Sequence, residues 1–180
     1  VKVIDKEDEV NVLVDSGKVT EEVKTILNKF EDRIIVNERE FCGNFSEHRN
    51  YHITKCSGDY IFVLDADEIP QELLIKNIKH FKSDILAVPR INIIPGYTDD
   101  WCKKMGFAVN EMGWINWPDY QGRFFKNNGK IKWSLGLHER LIGSEKVAKI
   151  QANPQLSLWH IKSIEKQEKQ DMFYKNLKEN

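Results

Sequence analysis

The sequence predicts an α/β fold in which a mixed, mainly parallel sheet is flanked by helices. Over the first 90 residues, short β-branched strand candidates alternate with amphipathic helix candidates, which is typical of parallel βαβ units. After residue 90, five tryptophans and several short strand candidates separated by Gly and Pro indicate an aromatic-rich, partly antiparallel half. A chain of 180 residues is expected to form a single domain.

The first two predicted elements are a strand and a helix. Residues 10–14 form a short β-branched run that ends at the turn sequence Asp15-Ser16-Gly17. Thr20 can cap a helix over residues 21–30, because its hydroxyl can accept a hydrogen bond from the first turn. Four apolar residues recur at helical spacing on one face of that helix: Val23, Ile26, Leu27 and Phe30.

The same alternation of strands and helices continues to residue 89. The predicted elements are a strand over 33–36, a helix over 46–56, a helix over 71–81 and a strand over 85–89. In the second half, residues 124–126 and 130–133 flank Asn127-Asn128-Gly129, which predicts a β-hairpin. A charged, amphipathic helix is predicted over residues 164–177.

The most informative segment is an apolar run that ends in acidic residues. Residues 61–64 are all apolar and lead into Asp65, Asp67 and Glu68. Such a run is typical of a strand buried on both faces of a parallel sheet. Ligands of open α/β sheets bind at the carboxyl ends of such strands, where clustered carboxylates suit Mg²⁺ or Mn²⁺ carrying phosphates. The alternative is that Asp67 or Glu68 caps the helix that begins near Pro70.

Composition excludes several classes of function. The 27 basic and 28 acidic residues are balanced, so the basic footprint of a nucleic-acid-binding protein is absent. Three widely spaced cysteines favour a reducing compartment over a disulfide framework. Apolar runs all stay well below the length of about 18 residues that a membrane-spanning helix needs. We therefore expect no transmembrane segment and a cytoplasmic location, with peripheral attachment to a membrane left open.

Several short motifs follow one another in a characteristic order along residues 10–175. In chain order they are Asp15-Ser16-Gly17, Phe45-x-x-x-Arg49-Asn50, Gly58-Asp59-Tyr60-x-x-x-Leu64-Asp65-Ala66-Asp67-Glu68, Trp117-Pro118-x-x-Gln121-x-Arg123-Phe124-Phe125, His138-Glu139 and Trp159-His160. This ordered set resembles the family 2 glycosyltransferases with the GT-A fold, of the bacterial lipopolysaccharide-core type. The resemblance implies one GT-A domain over 1–180, in which residues 1–90 bind nucleotide-sugar and metal and residues 91–180 face the acceptor.

The resemblance also implies which residues bind the donor. Asp65 and Asp67 would form the Asp-x-Asp motif, which holds a Mn²⁺ or Mg²⁺ ion on the two phosphates and contacts the donor sugar. His160 would complete the metal contacts. Asp15 would contact the nucleobase, and Arg49 would lie near the same end of the nucleotide. The donor would be a nucleotide-sugar, with a UDP-sugar favoured by the resemblance alone.

The acceptor side is less well defined. Glu139 stands where the catalytic base of an inverting transfer is expected, and the acceptor would be a glycan or glycoconjugate. Arg123, and with less support Gln121, could contact the diphosphate or the acceptor, because a guanidinium group matches phosphate oxygens. Three tryptophans could provide flat faces on which sugars stack, although large aromatic residues are more often part of the core: Trp114, Trp117 and Trp133.

Most of these residues also have a purely structural interpretation. Arg49 could pair with Glu47 or another surface acid, and His160 could be a core imidazole with satisfied hydrogen bonds. Glu139 could be an ordinary buried or solvated acid. Asp119 is expected to lie in a loop and to be solvated.

Two departures from the family leave other functions open. Only residues 1–9 precede the strand at 10–14, where family members have a strand and a helix, and residues 1–4 could be a remnant of that strand. Lys18-Val19-Thr20 replaces the usual Ser-Thr-Asp. The alternative function is therefore a non-catalytic module that binds nucleotide-sugar or carbohydrate. A phosphotransferase of the haloacid-dehalogenase type is disfavoured, because the residues after Asp67 do not match its motif.

Overall fold

The computed structural model describes residues 4–179, in which the chain forms ten strands and five α-helices. The mixed α/β class predicted from the sequence is confirmed. The chain divides into two compact units: unit 1 comprises Val1–Ile61 and Phe125–Glu145, and unit 2 comprises Phe62–Phe124 and Lys146–Asn180. The strand remnant predicted at residues 1–4 lies, apart from Ile4, outside the described residues.

Unit 1 begins with a βαβ arrangement, as predicted. Strands β1 (Asn11–Asp15) and β2 (Ile35–Arg39) pair in parallel. They are joined through helix α1 (Glu21–Asn28), whose N-cap Thr20 accepts a hydrogen bond from the backbone N–H of Val23 at 3.4 Å. The apolar face of α1 is nevertheless not buried, since the helix contains no buried residue. The apolar periodicity thus predicts the helix correctly but does not predict whether its apolar face is buried.

The rest of unit 1 packs a helix on a two-stranded sheet. Helix α2 (Phe45–Ile53) contacts β7 (Lys132–Ser134), which pairs in an antiparallel manner with β8 (Arg140–Ile142). The Asn50 side chain donates to the Trp133 carbonyl at 2.9 Å and accepts from the Trp133 N–H at 2.8 Å. The hairpin predicted around residues 127–129 is therefore wrong. One edge of β7 pairs with β8 and not with the strand before residue 127, and the Asn50 side chain binds the backbone of Trp133, the central residue of β7.

Unit 2 is built on a mixed sheet. Its strands lie in the spatial order β6 (Ile115–Lys126), β5 (Ile85–Ile93), β10 (Leu158–Ile161) and β4 (Glu68–Pro70). Strand β10 is parallel to β5 and antiparallel to β4, and β9 (Val147–Lys149) pairs in parallel with the start of β5. The core lies along β5, where Leu86, Val88 and Ile91 are fully buried.

Strand β3 (Tyr60–Phe62) corrects one prediction about the acid-tipped segment. Among residues 4–179 it stands at the end of the strand order, next to β6, and has a hydrogen-bonded neighbouring strand on one side only. Leu64, at the end of the predicted strand, is 41% exposed. The prediction of a strand buried on both faces is therefore wrong, because the strand ends at Phe62, which is only partly buried, and Leu64 lies beyond it with an exposed side chain.

Three helices belong to unit 2: α3 (Glu72–Ile78), α4 (Asp99–Met105) and α5 (Ile164–Glu179). The N-cap of α3 is Gln71, so the alternative in which Asp67 or Glu68 caps this helix is wrong. Within residues 4–179, none of the helices combines the length and the apolar character needed to cross a membrane.

Candidate functional site

The first cluster of predicted site residues in unit 2 contains Asp67 and His160. Asp67 lies in the turn before β4, and His160 lies on β10 opposite Glu68 of β4. Because β4 and β10 are paired, the imidazole is brought to the turn, and its Nε2 lies 3.4 Å from Oδ2 of Asp67. The ammonium group of Lys166, on the first turns of α5, lies 3.2 Å from the same oxygen.

The orientation of the His160 ring is fixed from its other side. Asn92 of β5 is the parallel-register partner of His160, and its Oδ1 lies 2.8 Å from His160 Nδ1. The Asn92 amide nitrogen already donates to the Ile115 carbonyl and to Asp119, so its oxygen is the atom that faces the ring. Nδ1 therefore donates its proton to Asn92, and Nε2 is the ring atom that faces Asp67.

Asp67 is held in its ionised form. Its hydrogen bond with His160, together with the charges of His160 and Lys166, lowers the pKa of Asp67 far below its ordinary value, although burial opposes this shift. A divalent cation would take the place of the proton between Asp67 and His160, because a deprotonated Nε2 offers a lone pair beside the carboxylate oxygen 3.4 Å away. Two electron-pair donors in this arrangement are the donor set that a divalent cation accepts.

Asp67 and His160 alone do not form a complete metal site, and they suit an ion that is bound jointly by the protein and a ligand. Among residues 4–179 there is no group of three or more His, Cys, Asp or Glu side chains arranged to hold a metal ion. Mg²⁺ is usually bound by one or two carboxylates together with substrate phosphates, and it keeps several waters. Asp67 and His160 therefore fit an ion that a diphosphate ligand helps to hold.

Asp65, the other acid of the motif, is in an ion pair. Arg123 of β6 donates to Asp65 Oδ2 at 2.6 Å and to Glu68 Oε1 at 2.5 Å. The Glu68 carboxylate also accepts from the backbone N–H of Asp65 at 3.1 Å, while the backbone N–H of Glu68 donates to the Asp65 carbonyl at 3.0 Å. Glu68 and Arg123 together fix the shape of the turn that carries Asp65 and Asp67.

A second arginine extends this network across the sheet. Arg90 of β5 donates to Glu68 at 3.0 Å and to Asp119 of β6 at 2.6 Å. Burial alone would raise the pKa of the Asp119 carboxyl, but Arg90, Asn92 and Gln121 outweigh it and the pKa is lowered. The prediction that Asp119 is solvated in a loop is therefore wrong, because it lies in a strand whose neighbour supplies a guanidinium group. Gln121 contacts Asp119 at 2.7 Å.

Replacing Glu68 by glutamine is expected to destabilise the protein strongly. The Glu68 side chain is 0% exposed and is the shared partner of Arg90 and Arg123. Breaking a buried ion pair by removing one partner typically costs about 3–5 kcal/mol, because the remaining charge stays buried. The free energy of unfolding from urea titration measures this change. Glu72→Gln is the matched control, because Glu72 is 63% exposed in an i,i+4 pair with Lys76, and an equal effect of both substitutions would contradict the expectation.

The predicted residues of unit 1 form another cluster. Arg49 on α2 donates from Nε to Glu139 Oε1 at 2.6 Å, and its guanidinium carbon lies 5.0 Å from the centre of the Trp133 ring. Glu139 lies immediately before β8, so the pairing of β7 with β8 positions it beside α2. The structural alternative for Arg49 is an ion pair with Glu47 or another surface acid, and the acid found beside Arg49 is Glu139, while the Glu47 carboxylate lies 3.9 Å from Arg39.

Asp15, at the end of β1, organises its own loop. Its Oδ1 accepts hydrogen bonds from the backbone N–H groups of Gly17 and Phe41, both at 3.1 Å. These bonds use one of the two carboxylate oxygens, and they join the ends of β1 and β2. Asp15 therefore has a structural role in the turn, in addition to the nucleobase contact that its motif predicts.

A family model described as "Glycosyl transferase family 2" matches residues 2–136. The chain belongs to glycosyl transferase family 2. The matched span contains Asp15, Arg49, Asp65, Asp67 and Arg123, whereas Glu139 and His160 lie beyond it. The mixed α/β fold is consistent with the GT-A type, and membership supports glycosyl transfer as the general activity. None of the curated proteins compared with the chain matches it.

Several residues of the candidate site are not found by reasoning from the sequence. They are Glu68 as the shared partner of two arginines, Arg90, Asn92, Asp119 and Lys166. Arg90 and Asn92 alternate with apolar residues on a strand, which predicts only that both lie on one face of the sheet, and their partners lie on distant segments. Within unit 1 the structure brings Arg49 to Glu139, and within unit 2 it brings Arg123 to Asp65 and His160 to Asp67.

Proposed function

We propose that this chain transfers a sugar from a nucleotide-sugar, with a UDP-sugar as donor, to a glycan or glycoconjugate acceptor. The reaction would be metal-dependent and inverting. The observation that carries the proposal is the ionised Asp67 carboxylate facing the His160 ring at 3.4 Å in the turn of the Asp-x-Asp motif. The assignment of residues 1–90 to the donor and 91–180 to the acceptor is part of the same proposal.

Asp67 and His160 would hold the divalent cation, Mn²⁺ or Mg²⁺, together with the donor diphosphate. When bound, such an ion stabilises the negative charge that grows on the leaving diphosphate. Asp65 is assigned to the donor sugar and the edge of the metal site, with Arg123 orienting its carboxylate through the 2.6 Å ion pair. This pair leaves Arg123 as a positioning residue for the turn, more than as a direct phosphate ligand.

The predicted site residues of unit 1 are assigned to the nucleoside of the donor and to the catalytic base. Asp15 is proposed to contact the nucleobase with the carboxylate oxygen that its two backbone hydrogen bonds do not use. Arg49 would contribute at the same end of the nucleotide, held by Glu139 and the Trp133 ring. These assignments rest on motif position and on the geometry within this unit.

Glu139 is proposed as the general base. It would accept the proton of the acceptor hydroxyl while the hydroxyl oxygen attacks the anomeric carbon and the bond to the diphosphate breaks. The nucleoside diphosphate then leaves with the bonding electron pair. General-base catalysis of this kind typically contributes about 10²–10⁴-fold to the rate.

The test of the proposal is thermal unfolding with Mn²⁺ and a panel of nucleoside diphosphates. A ligand at about 100 times its Kd adds roughly 2.7 kcal/mol to the free energy of unfolding, which raises the melting temperature visibly. We expect UDP to give this increase only when Mn²⁺ is present. Absence of an increase with every nucleotide would contradict the donor site. Binding without transfer to any acceptor would favour the non-catalytic module.

A further inference from the structure

Lys166 is a cation in the candidate site that the sequence motifs do not include. Its Nζ lies 3.2 Å from Asp67 Oδ2, the same oxygen that faces His160 Nε2 at 3.4 Å. The hydroxyl of Ser163 accepts from the Lys166 backbone N–H at 3.2 Å, which fixes the first turn of α5 beneath the lysine. Lys166 therefore reaches Asp67 from a helix, and its ammonium group takes the position against the carboxylate that a metal ion would need.

The ion pair between Lys166 and Asp67 is weak enough for the lysine to change its partner. The Lys166 side chain is 61% exposed, and ion pairs between exposed lysines and carboxylates contribute little to stability because solvent screens them. A lysine also carries its charge on a long stem with many rotamers. A divalent ion bound to Asp67 and His160 would repel the ammonium group and displace it from the carboxylate.

Lys162, four residues before Lys166, is buried and much less free to move. It is only 5% exposed, and its ammonium group is held by the side chain of Gln170. A buried lysine bound to a neighbouring amide has no comparable freedom to move. Of these two cations, Lys166 is thus the one that can change partners when the site fills.

We propose that Lys166 is a donor-binding residue that exchanges Asp67 for the donor diphosphate. In the free protein its ammonium group neutralises Asp67, and when a divalent cation takes that carboxylate the ammonium group binds phosphate oxygens. The inference rests on the proposed function of the same site and adds to it a cation that competes with metal and cooperates with nucleotide. A lysine ammonium is a strong point-charge partner for phosphate.

Lys166→Met is expected to change two affinities in opposite directions. Removing the competing ammonium should strengthen the binding of Mn²⁺ alone, by about threefold to tenfold. At saturating Mn²⁺ the same substitution should weaken UDP binding by about tenfold, as expected for the loss of one charge-assisted hydrogen bond. Free Mn²⁺ is measured by electron paramagnetic resonance, and UDP binding by isothermal titration calorimetry.

Two further variants control the experiment. Lys169→Met removes an exposed lysine from the same helix and should leave both affinities unchanged. Lys166→Arg keeps the charge and should retain most of the UDP affinity. Melting temperatures without ligand establish that all variants are folded.

The outcomes separate this inference from the proposed function. If the wild type binds Mn²⁺ and UDP but Lys166→Met binds both equally well, the role of Lys166 is overturned and the donor site stands. A fall in both affinities would assign Lys166 a structural role and would also overturn the exchange. If the wild type binds no UDP at any Mn²⁺ concentration, the donor site itself fails, and the inference fails with it.

Discussion

Replacing Asp67 by alanine is expected to abolish the metal-dependent stabilisation by UDP while leaving the protein folded. The substitution removes the carboxylate that is proposed to hold the metal together with His160. An increase of roughly 2.7 kcal/mol at saturating ligand should fall to near zero. Without ligand, the loss of contacts to His160 and the exposed Lys166 should lower the free energy of unfolding by only about 1–2 kcal/mol.

Thermal unfolding of Asp67→Ala beside the wild type, each with and without Mn²⁺ and UDP, provides the measurement. Asp100→Ala is the matched control, since Asp100 is an exposed acid of the same unit on α4. It should keep the full ligand-dependent increase in melting temperature. If Asp67→Ala also keeps it, Asp67 is not a metal ligand and the main support for metal dependence is lost.

Local features of the fold follow from the sequence because they depend on nearby residues. The β-branched run at 10–14, the cap at Thr20 and the apolar spacing that follows it predict β1 and α1 with small errors at the ends. The long helix at the end of the chain is predicted over 164–177 and is found at Ile164–Glu179. Each of these elements is predicted by the apolar spacing and the capping residues of its own segment.

Pairing and burial do not follow in the same way. The Asn127-Asn128-Gly129 turn is present as a loop with Gly129 at a positive φ, but β7 pairs with β8. Only the first two residues of the apolar run at 61–64 belong to strand β3, which stands at the end of the strand order among the described residues, and Leu64 is exposed. Whether a strand lies at the centre or the edge of a sheet depends on the other strands, and the run itself contains no information about them.

In the candidate site, too, residue types follow from the sequence, whereas the contacts between distant residues do not. The Asp-x-Asp turn and His160 are suggested by residue type and motif order, and the structure places Asp67 beside His160. The ion pair of Arg123 with Asp65 joins residues 58 positions apart, and that of Arg49 with Glu139 joins residues 90 positions apart. Such partners are selected by tertiary packing, so a sequence can propose charged residues without showing which of them neutralise one another.

Glu139→Gln is expected to spare nucleotide binding and to lower sugar transfer by about 10²–10⁴-fold. Glutamine keeps the shape of the side chain but cannot accept a proton from the acceptor hydroxyl. The ion pair with Arg49 at 2.6 Å raises a second interpretation, in which Glu139 only holds Arg49 in place. Transfer is measured as UDP released from the UDP-sugar with an acceptor that the wild type uses, and binding as the metal-dependent increase in melting temperature.

Arg49→Gln separates the two interpretations of Glu139. If Glu139 is the base, Glu139→Gln loses turnover with UDP binding intact, whereas Arg49→Gln loses UDP binding, because Arg49 is proposed to lie at the nucleotide. If Glu139 only positions Arg49, both variants weaken UDP binding to a similar extent. Retained turnover in Glu139→Gln would remove Glu139 from the mechanism altogether. Since the partly buried pair has side chains only 20% and 15% exposed, both variants are compared at a temperature well below their measured melting points.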